Sequence, residues 1–320
     1  MPGNTNIRTV VHTTVFSDGA GGGNPCPVVL DADGLVSEQG MQLAARFMAE
    51  TILVVSAKAS EASFGLRYFV PRHEMEMCVH GTIAAVTVLH SLGEIATSPV
   101  RIETVLGLIS VEWSRQNEQI TVTVNQFAAE FSRRNPDAAE VAQVLGLSET
   151  SLIRADLPIV SVSTSRQKLI VPLQSVQTLD CLRPNYEALW SLCDQYGTTG
   201  LYPFAPVSIG EGIYAARQFP KRAGYEEDPA TGVAACALAA YLSQYHSKKD
   251  GWNSFEILQG RAMGRPSRLV AQALAQGGSI RQTKVTGKAE ILSRENCQLP
   301  SNNAFESGRA KERRAAQRER

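Results

Sequence analysis

Arg67-Tyr-Phe-Val-Pro71, followed by Met77-Cys-Val-His-Gly-Thr82 and an apolar run to Leu89, decides the fold, because the chain repeats it. The second copy is Arg217-Gln-Phe-Pro220, then Glu227-Asp-Pro-Ala-Thr-Gly232, then an apolar run to Leu242. Each copy reads as a strand, a polar loop and a helix that opens at a glycine. Fourteen residues separate Arg67 from Gly81 and fifteen separate Arg217 from Gly232, so the internal spacing is nearly conserved. Two related halves can set two helix N-termini against one another across a cleft. The unpaired N–H groups and the positive ends of the helix dipoles there would attract an anion.

Both helical runs are apolar on every side and rich in alanine, as expected of helices enclosed within a domain. Working outward, strands are expected at Thr9–Phe16, Pro27–Leu30, Thr51–Val55 and Gly65–Val70, with a glycine-rich turn at Gly19–Gly23. Ser37 is placed as the N-cap of a helix with apolar positions 41, 44, 45 and 48. Short strands near 99–104, 107–113 and 119–125 would wrap the first apolar helix into a nearly closed barrel. Residues 131–156 are more polar and form the connection, with a short helix at 138–146. The second half then gives strands at 159–163, 168–172 and 212–219, a helix near 185–194 and strands at 269–273 and 281–292. The expected organisation is a domain over 1–130, a second over 131–298, and a tail over 299–320. The last 12 residues hold six Lys or Arg against two Glu and nothing apolar larger than Ala, so the tail is read as disordered.

Composition bounds the function. The 320 residues are 43% apolar and 19% charged with no net charge, which suits a globular protein and argues against a general nucleic-acid binder. Six scattered cysteines with no C-x-x-C pair give neither a zinc signature nor a disulfide framework, and point to reduced thiols in the cytoplasm. No apolar run is long enough to span a membrane, and the N-terminus lacks a secretory pattern. No Gly-x-Ser-x-Gly elbow marks a serine hydrolase.

Glu227-Asp-Pro-Ala-Thr-Gly232 resembles the signature of the phenazine-biosynthesis PhzF-like isomerases, and four further segments match in the same order. These are Gly23-Asn-Pro25, Ala49-Glu-Thr51, Cys78-Val-His-Gly-Thr82 and Gln259-Gly-Arg-Ala-Met-Gly-Arg-Pro-Ser267. The resemblance spans roughly residues 8–294. It implies an α+β fold of two pseudo-symmetric domains, each a sheet or barrel round a central helix, as in diaminopimelate epimerase, with the active site between them. It also implies a homodimer that needs no cofactor or metal.

For the site, the resemblance implies that Glu50 shuttles a proton between two carbons of one substrate and that His80 holds the substrate and assists. Asp228 would contact an amino or hydroxyl group of the substrate; read from position alone, it caps the following helix. The backbone N–H groups of Gly81, Thr82, Gly232 and Val233 would hold a substrate carboxylate, and Asn24 lies in the matching first loop. In the racemases of this fold a cysteine stands ahead of each helix. Cys78 fits the first position, but Pro229 occupies the second, which disfavours two-base inversion. Val79 stands in place of a glycine, Gly81 in place of an alanine and Val233 in place of a serine. The leading expectation is an isomerase of a small amino or hydroxy acid. The alternatives are an epimerase or racemase using Cys78, and a catalytically silent binder of a metabolite or partner.

Overall fold

The computed structural model describes residues 7–299 except 118, 151, 152 and 248. The first half begins with a hairpin of β1 (Ile7–Val15) and β2 (Asn24–Val29). Helix α1 (Ser37–Phe47) leads to β3 (Thr51–Val55), β4 (Phe64–Val70) and the short β5 (His73–Met75). The buried helix α2 (Val79–Ser91) precedes β6 (Val100–Thr104), β7 (Gly107–Gln116) and β8 (Gln119–Gln126). The chain then crosses through β9 (Glu130–Phe131) and α3 (Ala138–Leu145) into β10 (Val160–Ser163) and β11 (Gln167–Pro172). Helices α4 (Val176–Asp180) and α5 (Tyr186–Tyr196) precede β12 (Gly200–Ser208), β13 (Ile213–Ala216) and β14 (Phe219–Pro220). The second buried helix, α6 (Gly232–Leu242), is followed by β15 (Gly251–Gln259), β16 (Ser267–Gln276), β17 (Ser279–Gly287) and β18 (Ala289–Gln298).

Strand pairing makes the duplication explicit. In the first half β1–β2 is antiparallel, β2–β3 parallel, β3–β4 antiparallel, β4–β6 parallel, and β6–β7–β8 antiparallel. In the second half β10–β11, β11–β12, β12–β13, β13–β15 and β15–β16–β17 follow the same succession. Antiparallel β8–β17 joins the two curled sheets into one surface. Each half also takes an edge strand from beyond the other: β18 pairs with β1, and β9 with β10. By pairing, therefore, Ala289–Gln298 completes the first half's sheet.

Each sheet curls round one apolar helix, as the continuous apolar runs demand. All of α6 is buried, and so is α2 from Val79 through Val86. Both helices belong to one hydrophobic core that runs through the whole molecule. The amphipathic helices cover the outer faces: α1 packs in a cluster with Val10, Leu53 and Phe69, and α3 and α5 in another with Leu169, Leu201 and Phe219.

Several sequence expectations shift. Val36 rather than Ser37 is the N-cap of α1; Ser37 is its first residue and donates to Glu74 at 2.7 Å. The single strand expected at 281–292 is two strands broken at Lys288, where Phe16 packs so closely on Gly287 that a Cβ there would lie 2.1 Å from its ring. The strand expected at 212–219 is likewise two, β13 and β14. Leu299, placed at the start of the tail, is buried against the α1 cluster. Residues 300–320 lie outside the described residues. Among the described residues no helix is long and apolar enough to cross a membrane.

Candidate active site

The two buried helices begin face to face. Cys78, Val79 and His80 at the mouth of α2 line the same narrow cavity, of about 40 Å³, as Thr231, Gly232 and Val233 at the mouth of α6. The approach is so close that a Cβ on Gly232 would lie 2.4 Å from Cγ1 of Val79. Val79 and Val233, two departures from the family pattern, both line this cavity and add apolar surface at the mouths of the helices.

The two N-termini are not equivalent. Cys78 caps α2: its Sγ accepts from Gly81 N–H at 3.2 Å, and its carbonyl accepts from Thr82 N–H at 3.0 Å. Thr82 also bonds to Tyr68 Oη at 2.9 Å and is fully buried. The Gly81 and Thr82 amides expected to face a ligand are thus already engaged, and neither residue lines the cavity. At the α2 mouth the cavity-lining residues whose amides precede the helical ladder are Val79 and His80. Thr231 is the N-cap of α6 without a side-chain bond to the helix, so the first-turn amides of Gly232 and Val233 open toward the cavity. Asp228 does not cap this helix.

Glu50 sits in the short link between α1 and β3 and is 9% exposed. Its Oε1 accepts from Tyr225 Oη at 2.5 Å, a contact that crosses from the second half to the first. Oε2 accepts from Cys78 Sγ at 2.9 Å and lies 3.4 Å from His80 Nε2. Burial pushes the carboxyl up, but His80, Cys78, Tyr225 and Arg166 outweigh it and hold Glu50 below its ordinary range. Burial lowers His80 despite the pull of Glu50, and raises the Cys78 thiol and the Tyr225 phenol well above their usual values. An uncharged imidazole attracts the carboxylate less, so the two donors, thiol and phenol, carry the ionised Glu50.

Asp228 lies across the same cavity and is 4% exposed. Asn24 Nδ2 donates to its Oδ1 at 2.6 Å and to Ala230 O at 2.9 Å, and the Thr231 hydroxyl donates to Oδ2. Gln259 fixes the loop by donating to Asp228 O at 2.7 Å while its Oε1 accepts from Thr231 N–H and Tyr202 Oη. Burial and the nearby Glu50 charge push the Asp228 carboxyl up to about 8, against the pull of its hydrogen bonds. The site thus holds two carboxyl groups pushed apart, one an anion and one an acid at neutral pH, the arrangement that separates a base from an acid.

Glu50, His80, Asp228, Gly232 and Val233 come together as expected, and Asn24 supports Asp228 from behind rather than lining the cavity. Tyr225, Lys168, Arg166 and Gln218 are among the lining residues that escaped the sequence reading. Tyr225 lies in an irregular loop with no periodic signal. Lys168 lies within the apolar strand β11 and Arg166 just before it, and a lysine in an apolar strand was the available clue. Gln218 follows Arg217 in the repeat itself. Glu50, Cys78 and His80 are also the described residues whose donor atoms lie near enough together to hold a metal ion, within 4.8 Å. An ion there would have to displace the thiol proton that Cys78 donates to Glu50, and burial disfavours the thiolate.

Comparison with known proteins agrees with this architecture. Residues 13–295 match the family model described as phenazine biosynthesis-like protein. An uncharacterized isomerase of Deinococcus radiodurans is 32% identical over 88% of this chain and 91% of its own. The trans-2,3-dihydro-3-hydroxyanthranilate isomerase of Pseudomonas chlororaphis is 29% identical over 85% of this chain and 92% of its own. The crystal structure of a PhzF-family phenazine biosynthesis protein from Bacillus anthracis superimposes with a TM-score of 0.81 at 27% identity, covering 91% of this chain and 99% of that one. The chain belongs to the phenazine biosynthesis-like, or PhzF, family of isomerases.

Proposed function

We propose that the protein moves a proton between two carbons of a small carboxylic acid held between its halves, without a cofactor. The substrate carboxylate sits at the opposed helix mouths, on the amides of Val79, His80, Gly232 and Val233. Glu50 takes the proton from carbon as general base. Asp228, protonated at neutral pH, hydrogen-bonds the substrate's amino or hydroxyl group. His80, beside Glu50, steadies the carboxylate during transfer, and Glu50 then returns the proton to the second carbon. The cavity is too narrow for such an acid as it stands, so the halves part to admit it and close to exclude water.

The observation that carries this reading is the Glu50–Tyr225 bond: one of the two donors that hold the base comes from the other half, so the carboxylate has its full set of partners only when the halves are together. The test is proton exchange with solvent. With trans-2,3-dihydro-3-hydroxyanthranilate and small amino and hydroxy mono- and dicarboxylic acids offered in turn, in D₂O containing a chelator, the wild type incorporates deuterium at carbon of its substrate, followed by NMR. Glu50→Gln keeps its circular dichroism and loses at least about a hundredfold in rate, the range a positioned general base supplies. Full exchange by Glu50→Gln would reject Glu50 as the base.

One observation favours a second reading: Cys78 Sγ is itself 2.9 Å from Glu50 Oε2 and lines the cavity. In an epimerase the thiol would act on one face of the substrate. The raised thiol pKa and Pro229 at the related position count against it. Cys78→Ala separates the two, since it abolishes epimerisation and leaves most of the Glu50-dependent exchange.

A further inference from the structure

The second half places hydrogen-bond and charge donors where the first half places its catalytic carboxylate. The repeat can be aligned residue by residue. Arg67 makes a two-pronged pair with Glu74, donates to Leu35 O and stacks on Phe69 at 5.0 Å. Arg217 makes the same pair with Glu227, donates to Leu179 O and stacks on Phe219 at 4.9 Å. Across the strands, Thr51 faces Phe69 and Leu201 faces Phe219, so Glu50 corresponds to Gly200. Through the parallel pairs, Val28 lies opposite Ile52 and Ile170 opposite Tyr202, so Cys26 corresponds to Lys168. Tyr68 corresponds to Gln218.

No side chain fits at Gly200. A Cβ there would lie 2.5 Å from Gln218 Nε2, so the Gln218 amide takes the ground that the Glu50 side chain holds in the first half. Gln218 is 1% exposed, lines the cavity, and neither its Oε1 nor its Nε2 has a hydrogen-bond partner. Lys168 is 4% exposed and lines the same cavity with no hydrogen-bond or ion-pair partner among the described residues. Arg166, two residues earlier on the same edge, also lines it and reaches outward to Glu76 at 3.5 Å. Burial, and after it the neighbouring Arg166, pulls the Lys168 amine down to about 7, and an amine and an amide buried without side-chain partners are costly unless a ligand completes them. The acids already in the cavity are engaged elsewhere, Glu50 by Cys78 and Tyr225, Asp228 by Asn24 and Thr231.

We propose that Lys168 and Gln218 bind a second carboxylate of the substrate, so that this isomerase acts on a small dicarboxylic acid. One carboxylate takes the helix mouths, the other takes Lys168 and Gln218, and the carbons between them face Glu50. This rests on the isomerase reading for what happens to those carbons, but not for the binding itself.

Succinate and butyrate, equal in carbon number, are the probes, and titration calorimetry is the readout. Wild type binds succinate at least about tenfold more tightly than butyrate, as expected for a charge-assisted hydrogen bond. Lys168→Met and, separately, Gln218→Leu remove most of that preference and leave butyrate binding within about threefold of wild type. The two variants guard against a folding defect in either. Equal affinity for the two acids in wild type, or an equal loss for both acids in the variants, overturns the proposal. A succinate preference that survives in a protein without solvent exchange would reject the isomerase reading and leave the second carboxylate site standing.

Discussion

At Asp228 the structure makes a claim that pH can test. The unfolded chain releases this proton near pH 4, whereas the buried carboxyl keeps it to about pH 8. Between those values the folded state holds one proton more, so the residue's contribution to stability falls as pH rises. Below pH 4 both states are protonated, so the contribution is fully present and no longer varies with pH; above pH 8 the loss is complete. Asp228→Asn keeps an acceptor for Asn24 and removes the titration. Glu50, His80 and Lys168 titrate in both proteins and largely cancel in the comparison. The variant should therefore gain stability over wild type from pH 5 to pH 8, read as a growing gap in urea midpoints. A gap that is constant, or shrinks with pH, would mean that Asp228 is ionised in the folded protein. The chemistry of this residue was only partly legible. The motif marked Asp228 as a site residue, but its raised pKa depends on Glu50, far away in sequence, and on burial that no local pattern reveals.

At the scale of elements, the opposed helix mouths depend on a glycine meeting a valine. A methyl group on Gly232 would intrude on Val79, and such overpacking typically costs about 1–3 kcal/mol. Gly232→Ala should lower the denaturant midpoint accordingly. In a Val79→Ala background the space exists, and most of that loss should be absent. The resulting coupling, about 1 kcal/mol or more in a double-mutant cycle, measures the contact between the two helices. Independent, additive effects would mean that the mouths stand further apart. The helices themselves were readable because they are apolar on every face, and so were β3 and β4 from their β-branched and aromatic content. β12 was not: Pro203 and Pro206 within nine residues read as breakers, yet the strand pairs on both sides. β5 and β14 are too short to show a period; β5 carries Glu74 to Arg67, while Glu227 reaches Arg217 from the loop after β14, beside the bridge between Gln218 and Asp228.

For the whole molecule, the duplication read from two motifs is correct in register, but the exchange of edge strands was invisible to it. Pairing of β18 with β1 joins sequence ends through long-range hydrogen bonds that no local periodicity encodes. The consequence is mechanical. The first half lacks its outer strand until the last part of the chain arrives, β9 reaches the second half from beyond β8, and β8–β17 seals the two sheets. The core is likewise continuous through α2 and α6. Halves tied in this way should lose structure together, even though each is as large as an ordinary domain. Trp113 reports on the first half, where its indole donates to Thr97 O, and Trp190 on the second, where it donates to Pro220 O. Variants in which Trp252 and one of these two are replaced by Phe, leaving Trp113 or Trp190 alone, should give coincident urea transitions that also match the loss of circular dichroism. Separated midpoints would show that the halves fold as independent units. The closing of the site would then be a docking of finished domains, and the Tyr225–Glu50 bond would form late, after each half is complete.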